Sequence, residues 1–159
     1  MMKLNFKYKN GKPFNAEEFL KKYIISKYKA GYGITKERNV NNSALHLAVN
    51  TLGSFSRNIP ARDSLNKPVK EQLNKLLSLG AKEFKNDSSN SFDKKFENSL
   101  NKMCFSIIND VVRPTILANG GGVWQKLSPI TIKRKLGSEQ MLIASGEMFD
   151  CLSWRVEKK

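Results

Sequence analysis

One histidine, two cysteines and scattered carboxylates are all that this 159-residue chain offers to acid–base, nucleophilic or metal chemistry. His46 stands in the apolar run ALHLAVNTL with no cysteine or carboxylate at ligand spacing. A lone imidazole makes a poor metal site, so a structural role is expected. Cys104 follows Met103 on a helical stripe and reads as a buried thiol. A nucleophilic cysteine needs a cationic pocket and a base, and His46 is the sole imidazole on offer. Cys104 and Cys151 match no zinc spacing and suggest no disulfide framework. Asp93 and Glu97 lie one helical turn apart, but Lys94 and Lys95 stand between them, the pattern of a solvated face. Gly120 to Gly122 are followed by Val-Trp-Gln rather than Gly-Lys-Ser/Thr, so they read as a hinge and not a phosphate loop. No nucleophile elbow, zinc ligand set or dinucleotide-binding turn is present in the sequence. The expectation is a protein that is not an enzyme, with no catalytic residue, no metal and no cofactor.

Charge is the outlying property. Lys and Arg number 28 against 14 Asp and Glu, a net charge of +14. The excess is densest before residue 40, and two readings stand: an anion-binding face, or a Lys- and Asn-rich composition without functional meaning. Lys126, Lys133, Arg134 and Lys135 cluster near Trp124, and cations beside an aromatic form a phosphate-and-stacking patch. That makes a basic nucleic-acid-binding protein the alternative function, although no helix-turn-helix, RNP or zinc-finger pattern accompanies it. No apolar run approaches the roughly 20 residues of a membrane span. The N-terminal MMKLNFKYKNGKPF has no apolar core of a signal peptide, so synthesis in the cytoplasm and no membrane partner are expected.

The elements that must position these residues follow from periodicity. Residues 3–8 alternate like a strand, and from Asn15 a helical stripe runs through Phe19, Leu20, Tyr23, Ile24 and Tyr28. Residues 29–43 read as a loop, and ALHLAVNTL from Ala44 as a buried strand ending at Gly53. GSFSRNIPAR then reads as an irregular loop, because Pro60 forbids a regular central strand. Val69, Leu73, Leu76, Leu77, Gly80 and Phe84 predict one helix of about five turns. Phe92, Phe96, Leu100, Met103, Ile107 and Val111 predict a second, packed antiparallel on the first, with Pro114 ending or kinking it. Leu73, Leu76, Ile107 and Val111 should be buried on the facing stripes. Ser128 before Pro129 is a helix start, giving two turns that end at Gly137, with a further turn after Ser145. CLSWRV closes the chain as a strand. The fold class is α+β: a small antiparallel β-sheet packed against a long helical hairpin, with short C-terminal helices and a closing strand. Residues 1–43 form a basic N-terminal extension and 44–159 the α+β domain.

Three segments together carry a resemblance. W-x-x-L-S-P-x-T-I-x-R-K (Trp124 to Lys135), M-L-I-A-S-G-E-M (Met141 to Met148) and I-P-A-R (Ile59 to Arg62) stand in the order strand, IPAR, helix, helix, LSPxTIxRK, LIxSG, strand. This resembles the bacteriophage tail-completion proteins, also called virion morphogenesis or head–tail joining proteins, over about residues 44–156. Ser145 stands where the family usually has Thr, Asp63-Ser64 where an aromatic is common, and Thr51-Leu52-Gly53 where an acidic-aromatic-Gly turn is usual. The resemblance implies a structural virion protein at the neck, made in the host cytoplasm, that joins head and tail as a ring of identical subunits, most often six. Its implied partners are itself and neighbouring neck and tail proteins: connector or stopper, tail terminator or tail tube. Nonspecific DNA contact stays open beside them. The candidate interaction residues are Ile59, Pro60, Ala61, Arg62, Trp124, Lys126, Lys133, Arg134, Lys135, Ser145 and Gly146. Ser128-Pro129 should fix a short helix anchored by Leu127 and Ile132, leaving Lys133, Arg134 and Lys135 exposed, with Trp124 covering the module's edge.

Overall fold

The structure, a computed structural model, describes residues 27–135, 139–143 and 145–159. The strand expected over residues 3–8 and most of the helix expected from Asn15 lie outside these residues, as does Gly137. In chain order the elements are β1 (Tyr28–Gly33), a 3-10 turn (Lys36–Arg38), α1 (Ser43–Leu52), α2 (Asn66–Glu71), α3 (Leu73–Asn86) and α4 (Phe92–Ser106). A π-helical segment (Ile107–Val112) continues α4 into α5 (Arg113–Leu117), making one helix of 26 residues. A 3-10 turn (Gly120–Gly122), α6 (Pro129–Arg134), α7 (Glu147–Asp150) and β2 (Ser153–Lys158) complete the chain. The architecture is α+β, a two-stranded antiparallel sheet packed against helices and closed by the C-terminal strand.

β1 and β2 pair with Tyr28 opposite Lys158, Ala30 opposite Val156 and Tyr32 opposite Trp154. An isolated pair of strands is marginal in water, so this ribbon depends on the helix beneath it. Two aromatic contacts dock it there. Tyr28 meets Phe96 at 5.3 Å between ring centroids, and Trp154 meets Phe105 edge-on at the same 5.3 Å. The Tyr28 hydroxyl also donates to the Asp93 carbonyl at 3.1 Å, and Lys158 Nζ donates to the Asp93 carboxylate at 2.8 Å. Asp93 is thus an anchor for the sheet rather than one half of a carboxylate pair with Glu97. Residues 29–43 are not all loop: β1 takes Tyr28 out of the expected helical stripe and into the sheet.

The run from Ala44 is a helix, not the strand expected. Asn41 and Asn42 adopt left-handed φ of 48° and 60°, turning the chain, and Asn39 Oδ1 accepts the Ala44 amide at 2.9 Å to cap the first turn. Ser43, Leu47 and Thr51 are buried at spacings of four, whereas Leu45 and Leu52 are exposed. Ala and Leu are strong helix formers, and a short apolar run does not distinguish helix from buried strand by period.

The helical hairpin forms as expected, with two differences. The first helix breaks at Gln72 (φ −102°, ψ 9°), so Val69 lies on α2 and Leu76 on α3. Leu76 and Gly80 are the buried residues of α3, whereas Leu73 and Leu77, four apart on its flank, are 45% and 52% exposed. Pro114 does not end the second helix, which runs on to Leu117. In an α-turn its ring would strike the carbonyl four residues back. The wide π turn before it, with the Arg113 amide donating to the Ile108 carbonyl, re-registers the ladder. This stretch is also the centre of the core. Ile108, Val111, Val112 and Ile116 are all at most 1% exposed, each stabilising the fold by about 1.5–3 kcal/mol of apolar burial.

Candidate interaction cleft

The IPAR segment is a short hairpin arm. Ser54 and Ile59 exchange both backbone hydrogen bonds (2.8 and 2.9 Å), and the turn between them places Phe55 wholly in solvent. Gly53, with φ of 79°, lets the arm cross back over the end of α1. A Cβ there would lie 2.8 Å from the Ala61 amide nitrogen. The Arg62 amide then donates to the Asn50 carbonyl at 2.7 Å, tying the arm to α1. Arg62 itself is only 6% exposed, and its Nη2 donates to the Gln125 carbonyl at 3.3 Å. One guanidinium therefore joins the IPAR arm to the segment that leads into α6.

That segment is set by Trp124 and Ser128. The Trp124 indole lies over Gly120, where a Cβ would fall 2.5 Å from Nε1, and it packs against the core cluster. Instead of covering the edge of the C-terminal module, the place expected for it, Trp124 lies over Gly120 and against the core cluster. Ser128 Oγ accepts the Thr131 amide at 3.2 Å, the N-cap expected, and α6 follows from Pro129. Leu127 and Ile132 are half-buried, as anchors should be, and Ile130 is exposed. Lys133 and Arg134 are exposed, but Lys135 is not: it turns inward and donates from Nζ to the Gln140 carbonyl.

The LIASG segment is held by the end of the long helix. The Gln140 side-chain amide donates to the Ile116 and Leu117 carbonyls, both at 2.9 Å, and Asn119 Oδ1 accepts the Met141 amide at 2.8 Å. Helix-end carbonyls lack partners within the helix, so this bonding closes α5 and fixes the segment in one act. Met141 is buried beside it. Ser145 Oγ accepts the Glu147 amide at 3.4 Å at the start of α7, the turn expected after Ser145.

These three pieces line one open cleft of about 890 Å³. Of the candidate residues, Ile59, Pro60, Arg62, Lys126, Lys135, Ser145 and Gly146 lie on its walls, whereas Ala61, Trp124, Lys133 and Arg134 do not. Among the wall residues that the sequence reasoning missed are His46 and Asn50 from α1 and Phe55 from the arm. For His46 and Asn50 the signal is that residues 43–52 are a helix, one side of which supplies the wall. His46 is accordingly exposed on α1 and not held inside a strand.

Electrostatics in the cleft follow from burial. Desolvation lowers the pKa of Arg62, and Lys135 is lowered by desolvation and then by the positive charge of Arg62. Cys104 and Cys151 are both buried and unpaired, and burial pushes the Cys104 thiol up, away from the nucleophilic thiolate. Among the described residues no group of three His, Cys, Asp or Glu is placed to hold a metal, and no helix is long and apolar enough to cross a membrane. Comparison with protein-family models, curated proteins and solved structures finds no match for this chain.

Proposed function

We propose that this chain is a structural protein of a tailed-phage virion, a tail-completion or head–tail joining subunit that works as a ring at the neck and catalyses no reaction. The observation that carries the reading is the convergence of IPAR, LSPITIKRK and LIASG on one cleft. Segments as far apart as Ile59 and Ser145 share that surface. Their shared order was the basis of the resemblance, and their shared surface supports a common task in binding. A rigid helical frame carrying short contact loops suits an adaptor, since loops make contacts while the frame sets their geometry. Subunits that meet head to tail close into rings when the rotation permits. At a net charge of +14, isolated subunits repel one another, so the ring forms against acidic neighbours in the particle.

Cryo-electron microscopy of the virion tests the proposal. A closed ring of this chain, six subunits by the resemblance, is expected between head and tail, with the purified protein monomeric or weakly associated. Finding the chain in the capsid shell, along the tail shaft, or nowhere in the particle overturns it. The nucleic-acid alternative keeps Lys133 and Arg134 as exposed cations, but Trp124 is half-buried over Gly120 and against the core cluster rather than open as a stacking platform. Duplex affinity that falls steeply with salt and is lost in Lys133→Ala/Arg134→Ala would favour that alternative.

A further inference from the structure

Arg62 and Lys135 line the same cleft, and the positive charge of Arg62 is felt at Lys135. Arg62 is 94% buried by the measure of its 6% exposure, and its Nε has no hydrogen-bond partner. A buried guanidinium with one carbonyl acceptor is costly unless an anion compensates it. The acids close by in the chain or on the cleft wall are engaged elsewhere. Asp63 accepts the amides of Leu65, Asn66 and Lys67 at 3.1, 2.8 and 3.1 Å, capping α2. Glu147 accepts from Asn41. Among the described residues no ion pair joins any acid to Arg62 or Lys135.

Besides Lys126 and Glu147 the rest of the wall is apolar or neutral, with Ile59, Pro60, Leu127, Leu142 and Met148 among its residues. We propose that the cleft takes a peptide segment of an acidic partner protein, seating one carboxylate on Arg62 and Lys135 and its flanking apolar side chains on these walls. The planar fork of an arginine matches the two oxygens of a carboxylate, and a lysine beside it adds a point charge. A nucleic-acid backbone fits less well, because it engages rows of cations open to solvent and Arg62 is enclosed. A second copy of this chain is disfavoured by its charge of +14. The inference deepens the ring-subunit reading and rests on its placing of partner contacts in the cleft.

The test uses the full-length protein and a fluorescein-labelled, capped octapeptide alternating Leu and Glu, with a Leu–Gln twin, read by fluorescence anisotropy. The Glu peptide should bind saturably, and the twin at least about tenfold more weakly. Lys135→Met and Arg62→Met should each weaken the Glu peptide by about tenfold or more, while Lys70→Met, an equal charge loss on the exposed face of α2, should stay within about twofold. Because Arg62 is buried, thermal melts accompany each variant, and Lys135→Met decides alone if Arg62→Met does not fold. The proposal is overturned if the Gln twin binds equally well or if Lys70→Met matches Lys135→Met. It is overturned equally if inorganic phosphate or duplex DNA displaces the peptide at lower concentration than unlabelled Glu peptide does. Failure here leaves a neck location standing, and a wrong location in the virion leaves this binding result standing.

Discussion

The Ser99 hydroxyl donates to the Gly80 carbonyl at 2.6 Å across the seam between α3 and α4. A Cβ on Gly80 would lie 2.3 Å from Met103 Sδ and 2.7 Å from its Cγ. The bare Gly80 therefore leaves the space in the seam that the Met103 side chain fills.

Gly80→Val should destabilise the protein by about 1–3 kcal/mol, because the added methyls overfill the seam. Adding Met103→Ala should return part of that loss by opening the space. Urea unfolding of both variants decides it. A neutral Gly80→Val would mean that the seam is looser than the distances indicate.

Leu76 and Leu77 are neighbours with opposite exposures, 3% and 52%. Leu76→Ala should cost about 2–5 kcal/mol as a core truncation. Leu77→Ala should change stability by no more than about 0.5 kcal/mol. Equal effects in the same denaturation series would place the buried face of α3 wrongly.

Hydrogen bonds from Ser89 and Asn98 hold the Asp87 carboxyl at about 2, below its ordinary 3.8. A depressed carboxyl favours the folded state above pH 3.8, and the contribution fades as pH falls toward 2. Asp87→Asn removes this titration. Its melting temperature should therefore fall less than that of the parent when the pH is lowered from about 5 to about 2. Parallel melting curves across that window would show that Asp87 is not coupled to folding.

Gly120 and Gly121 both have left-handed φ, 66° and 68°, but only Gly120 lies under the Trp124 indole. Gly121→Ala should carry the backbone strain alone, about 1 kcal/mol. Gly120→Ala adds the collision with the indole, and the total should reach about 2–4 kcal/mol. Chemical denaturation ranks the pair. Equal losses would mean that Trp124 moves aside freely.

Much of the helical frame was legible in the sequence because its signals are local. The apolar stripes of α3 and α4, the Ser128 cap and the closing strand each depend on residues a few positions apart. Where a signal was local but degenerate, reading it failed. ALHLAVNTL is apolar enough for either a strand or a helix, and its fate rests on the left-handed turn at Asn41 and Asn42 and on the α7 segment packed against it. Leu73 kept the period of its stripe and still came out exposed, since it is the first residue of α3 after the break at Gln72 and the buried side of that helix runs through Leu76 and Gly80.

By itself the sequence determined the α+β class, the helical hairpin, and the three motif segments with the cap that starts α6. Only the tertiary structure decided which of their residues share a surface. The Arg62–Gln125 bond spans 63 positions, and the contacts of Gln140 with the end of the long helix span 23 and 24. The bond of Arg62 to Gln125 and the seating of Met141 on Asn119 are such pairings. Lys135, by contrast, bonds Gln140 five positions on, and Trp124 lies over Gly120 four positions back. Periodicity and capping act within a turn or two of chain, whereas burial of a charge depends on every segment that closes over it.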